Sequence, residues 1–60
     1  MIVYEFYLWD QNGDADLIGV LPERRKDTLR ITQASVMKWG RTIAGEHVDL
    51  KNLFFVQSER

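Results

Sequence analysis

Ile2-Val3-Tyr4-Glu5-Phe6-Tyr7-Leu8-Trp9 runs directly into Asp10-Gln11-Asn12-Gly13-Asp14-Ala15-Asp16. The first stretch is β-branched, aromatic or aliphatic everywhere except Glu5, so it reads as a strand with two apolar faces. The second holds an Asn-Gly pair between apolar runs, the strongest short-range hairpin signal. Leu17 to Leu21 is therefore expected to fold back antiparallel on the first strand. Pro22 withholds a ladder donor, which ends this second strand and suits a sheet edge.

Working outward, Glu23-Arg24-Arg25-Lys26-Asp27-Thr28 reads as a loop leaving the sheet. Thr32 has the hydroxyl an N-cap requires, with Ile31 before it as half of a hydrophobic staple. A helix is predicted over Gln33 to Ala44. At 100° per residue Val36, Met37, Trp39, Gly40, Ile43 and Ala44 share one side, and Ala34, Ser35, Lys38, Arg41 and Thr42 the other. Gly45 fits the left-handed position past the helix end, and Gly40 implies close approach of helix to sheet. Leu53 to Gln57 reads as a third strand. The expected fold is α+β, ββαβ, a single domain over residues 1–60 with one helix on one face of a three-stranded sheet. A right-handed crossover leaves the third strand parallel to the second with the first between them, strand order 2-1-3.

One helix shelters one sheet face, so a monomer calls for a polar second face. The strands do not provide it. In the first, Ile2, Tyr4, Phe6 and Leu8 oppose Val3, Tyr7 and Trp9; in the third, Leu53 and Phe55 oppose Phe54 and Val56. In the second, simple alternation sets Leu17, Gly19 and Leu21 against Ile18 and Val20, the hairpin register deciding which set joins the helix. An apolar surface left over in this way marks an interface. Its expected residues are Val3, Tyr7, Trp9, Phe54 and Val56, and the expected partner is a second copy in a homodimer or another protein. The competing expectation is that residues 23 to 30 and 46 to 52 fold over this face.

Length points the same way. A 60-residue chain hides only about 60% of its unfolded surface on folding, and staples commonly supply the rest. Cysteine is absent, which removes disulfides and thiolate metal sites and suits a reducing cytoplasm. No apolar run reaches the roughly 20 residues that span a bilayer, so no membrane partner is expected.

Eight basic against nine acidic residues give a formal net charge of −1, unevenly spread. Residues 1–22 carry four acids and no base, whereas residues 23–41 carry six bases and two acids. Arg24, Arg25, Lys26, Arg30, Lys38 and Arg41 form a basic surface if the loop folds beside the wet face of the helix. Such a surface suits phosphate, with Trp9 or Trp39 to stack a base, so nucleic-acid binding is the alternative function. The acidic hairpin could equally meet the basic segment of a second copy.

No enzymatic signature is present. The 10–16 loop has its glycine at the fourth position and Leu21 at the twelfth, where a calcium loop needs glycine sixth and glutamate twelfth. Glu46, His47 and Asp49 lack a second histidine for a metal site, and Ser35 with His47 and Asp49 lacks a strained elbow or oxyanion donors. The expected protein is a non-enzymatic interaction module that uses neither metal nor cofactor.

Overall fold

In a computed structural model, residues 1–46 and 48–60 are described. Strand β1 (Ile2–Trp9), strand β2 (Ala15–Pro22), helix α1 (Gln33–Ala44) and strand β3 (Leu53–Glu59) follow in that order, with short 3₁₀ turns at Thr28–Arg30 and Leu50–Asn52. The sheet has order β2-β1-β3, and both outer strands run antiparallel to β1. This is the expected ββαβ arrangement, with the most apolar strand at its centre.

The hairpin departs from a two-residue turn. Trp9 pairs with Ala15, Asp10 N donates to Asp14 O at 2.8 Å and Gly13 N to Asp10 O at 3.3 Å. Asp10 Oδ1 accepts from Asn12 N at 2.8 Å and Asp14 N at 2.9 Å. The carboxylate at Asp10 thus organises a three-residue tip, and only Gly13 needs positive φ, at 84°.

Helix α1 begins at Thr32, whose Oγ1 accepts from Ser35 N while Thr32 N donates to Ser35 Oγ, each at 3.1 Å. This is a reciprocal capping box with serine in the glutamate position. Gly45 closes the helix with φ 87° and ψ 179°. That is an extended positive-φ conformation open essentially to glycine, rather than the left-handed helical well expected there. Tyr4, Phe6 and Val36 form the buried centre, with Ile2, Ile18, Leu21, Trp39, Ile43 and Phe55 packed around it.

Strand β2 corrects the simple alternation. Phe6 pairs with Gly19 but Tyr7 pairs with Leu17, so Ile18 is an extra residue in a β-bulge. Ile18 packs with Leu21 on the helix side. Leu17 and Val20 therefore share the opposite side, where alternation had placed them on different faces.

Candidate interaction surface

Pairing parity puts Val3, Glu5, Tyr7 and Trp9 on the face away from α1, beside Leu17 and Val20 of β2 and Phe54, Val56 and Ser58 of β3. Phe54 stacks between two aromatic neighbours. Its ring centroid is 5.2 Å from Tyr7 at an interplanar angle of 14°, and 5.0 Å from Trp9 at 25°. Around this stack Trp9 is 48% exposed, Leu17 55%, Val20 37% and Val56 44%. These values describe an apolar surface that the chain itself leaves open.

The surface carries one acid, and that acid is paired. Arg60 Nη2 donates to Glu5 Oε2 at 3.0 Å, and Tyr7 Oη lies 3.5 Å from Glu5 Oε1, at the limit of a hydrogen bond. Arg60 N donates to Met1 O, so the Arg60 side chain starts one row beyond Val3 and Ser58 and crosses that row to reach Glu5. Val3 is accordingly only 5% exposed. Of the five expected interface residues, Tyr7, Trp9, Phe54 and Val56 belong to one open patch, whereas Val3 lies beneath the ion pair. Ser58 Oγ, in the same row, is buried without a hydrogen-bond partner among the described residues.

The loop after β2 folds toward the helix, away from this patch. Tyr4 Oη donates to Glu23 Oε2 at 2.8 Å. Arg25 grips the same carboxylate with Nη2 on Oε2 at 2.7 Å and with Nε and its own backbone N–H on Oε1, both at 2.9 Å. Its Nη1 donates to Arg30 O at 2.8 Å and Ser35 Oγ at 2.9 Å, and the guanidinium lies 4.3 Å from the Trp39 ring centroid. The Arg25 hydrogen bonds lower the Glu23 carboxyl to about 2, against the opposing effect of burial. Burial and the Glu23 contact push the Tyr4 phenol up, and Glu23 raises Arg25 further.

These contacts divide the six basic residues. Arg25 spends its donors inside the fold, and Arg30 lies 3.7 Å from Asp27 in an exposed pair. Arg24 borders a groove of about 750 Å³ floored by Leu21, Pro22, Trp39 and Ile43. Lys38 and Arg41 line an adjoining recess that shares Thr42 with this groove and also holds Glu46, and Lys26 is exposed. The two readings built on His47 lie outside the described residues, among which no group of three metal-ligating side chains occurs. Among those same residues, no helix is long and apolar enough to cross a membrane.

Leu17 and Val20 are the surface residues that pattern reading missed. Period-two alternation separates them, and no sequence signal marks the bulge that brings them together. Comparison with protein-family models, curated proteins and solved structures gave no match.

Proposed function

We propose that this chain is a non-enzymatic self-association module whose working surface is the open sheet face, packed face to face on that of a second copy. The stacking of Phe54 between Tyr7 and Trp9 carries this reading. Aromatic residues held rigid on a sheet lose little side-chain entropy on binding and supply large apolar contact. Leu17, Val20 and Val56 extend the patch, and the Arg60–Glu5 pair removes the net charge that would oppose burial.

Charge favours a second copy in one orientation. The acidic tip with Asp10, Asp14 and Asp16 lies at one end of the strands, and the chain leaves the sheet at the other through Arg24 and Lys26. A twofold axis that opposes the strand directions sets each acidic tip beside the partner's basic end, which fixes orientation while apolar contact supplies affinity. The lack of cysteine fits a reducing compartment such as the cytoplasm.

Light scattering across a concentration series tests the reading. The wild-type chain should show a mass above 7.1 kDa that falls on dilution. Tyr7→Lys should lower it while circular dichroism stays unchanged. A single-chain mass at every concentration up to about 1 mM, where even an affinity of −4.1 kcal/mol would register, overturns it.

A further inference from the structure

The two outer strands are protected differently. Glu23 N donates to Ile2 O, so in β2 Glu23 and Leu21 turn their main-chain groups inward and Pro22 turns outward, where its missing N–H blocks pairing. The bulge at Ile18 interrupts the same edge. Strand β3 has neither device: Leu53-Phe54-Phe55-Val56-Gln57-Ser58-Glu59 contains no proline, no bulge and no lysine. Natural sheets blunt exposed edges with such features, and an edge without them is a template for another strand.

The parity of β3 is fixed at its end. Arg60 N donates to Met1 O at 2.7 Å and Met1 N to Arg60 O at 2.6 Å. Ser58, Val56 and Phe54 therefore bond to β1, while Phe55, Gln57 and Glu59 turn their N–H and C=O groups outward and Leu53, whose N–H donates to Leu50 O, offers its C=O alone. Beside this edge lies an open recess of about 400 Å³ between Gln33, Ala34 and Met37 of α1 and Leu53 to Phe55.

We infer that the outer edge of β3 is a strand-addition site for the β3 of a second copy, paired antiparallel about Val56. This rests on the self-association reading above but uses a different surface. In this register Phe55 exchanges both bonds with Gln57 of the second copy and Leu53 O accepts from its Glu59 N, so every outward N–H finds a carbonyl. The two Val56 side chains meet across the twofold axis on the open face. A second copy is the fitting occupant because the match is self-complementary and the open faces become continuous. At about 4.8 Å per strand, a surface roughly 14 Å wide becomes one roughly 29 Å wide.

Gln57→Pro, Tyr7→Lys and the double variant, compared by light scattering, separate the edge from the face. The proline ring replaces an outward N–H and leaves the β1 ladder whole. With both surfaces in use the native particle contains four copies; each single variant leaves two, and the double variant leaves one. A mass changed by Gln57→Pro alone supports the edge and overturns the face reading; a mass changed by Tyr7→Lys alone does the reverse.

Two direct readouts address the edge whatever Gln57→Pro does to folding. Amide exchange at Phe55, Gln57 and Glu59 should slow by at least about 100-fold between dilute and associated protein. Val56→Cys, made in the Tyr7→Lys background and the sole thiol in its chain, should oxidise to a covalent dimer, since facing residues in such a pair sit about 4.5 Å apart at Cα, within disulfide reach. Unchanged exchange in associated wild-type protein, or a Val56→Cys chain that stays monomeric under oxidation, overturns the edge site.

Discussion

The ring of Phe6 occupies the space that a side chain on Gly40 would need. A Cβ built there meets Phe6 Cδ1 at 2.8 Å and Cε1 at 2.9 Å, with Leu53 Cδ2 at 3.2 Å. Phe6 is fully buried in the central strand and has nowhere to move. This contact lets α1 lie close enough to the sheet to seal the core.

Gly40→Ala should therefore destabilise the protein although alanine is the better helix former. The propensity gain is about 1 kcal/mol, whereas overpacking a closed core costs about 1–3 kcal/mol and forces displaced rotamers. A net loss of about 1 kcal/mol, read as a fall of roughly 5 °C in thermal unfolding, is the expected result.

Acid should weaken the fold through Glu23. Its carboxyl sits at about 2 when folded and at the ordinary 4.5 when unfolded, so its contribution is fully present above 4.5 and is lost as pH falls toward 2. Glu23→Gln should melt roughly 10 °C lower at pH 7, because the amide lacks the negative charge that faces the Arg25 guanidinium and turns an NH2 donor toward the Arg25 and Tyr4 donors. The two proteins should converge near pH 2. The Tyr4 phenol acts at the other extreme: raised above 10 in the fold, it contributes stability below pH 10 that is lost in stronger alkali. Thermal unfolding across pH reads both limbs.

Arg60→Ala should separate stability from association. The pair is exposed on the Arg60 side, at 58%, and half-buried on the Glu5 side, at 21%, and pairs open to solvent on one side contribute about 1 kcal/mol or less. The melting temperature should change by no more than about 5 °C. Glu5 would then carry an unpaired charge onto the proposed contact surface, and the dissociation constant of the assembly should rise roughly tenfold. Calorimetric dilution measures the second effect.

Raising salt from about 50 to 500 mM, which shortens the screening length from more than 10 Å to less than 5 Å, should alter the dissociation constant less than about threefold. Association should nevertheless slow, because the acidic tips and basic ends act on encounter and orientation. Stopped-flow mixing of labelled chains reads the rate.

Much of this architecture is legible in residue order because local chemistry decides it. The run Ile2–Trp9 has no competing helical period, Thr32 offers a hydroxyl where the helix must be capped, and β3 alternates without interruption, so Phe54 and Val56 fall on the face they occupy. What escapes pattern reading depends on contacts distant in sequence or on one inserted residue. Val3 has the right parity for the open surface, but Arg60 closes over its row from the far end of the chain. Arg25 looks like a solvated loop cation beside Arg24 and Lys26, yet the buried phenol of Tyr4 draws Glu23 inward and Arg25 follows. The hairpin's Asn-Gly pair is a sound signal for reversal, while the length of the tip belongs to the Asp10 carboxylate.

The extra residue in β2 has a consequence for how this segment tolerates length changes. Because Ile18 is inserted out of step, Leu17 and Ile18 supply hydrophobic groups to opposite sides of one short ribbon. Deleting Ile18 would restore a plain rhythm and strip the interior of a packing group; slipping the frame to refill that gap would drag Leu17 inward and thin the exterior. A single codon's worth of backbone thus couples the soundness of the inside to the stickiness of the outside.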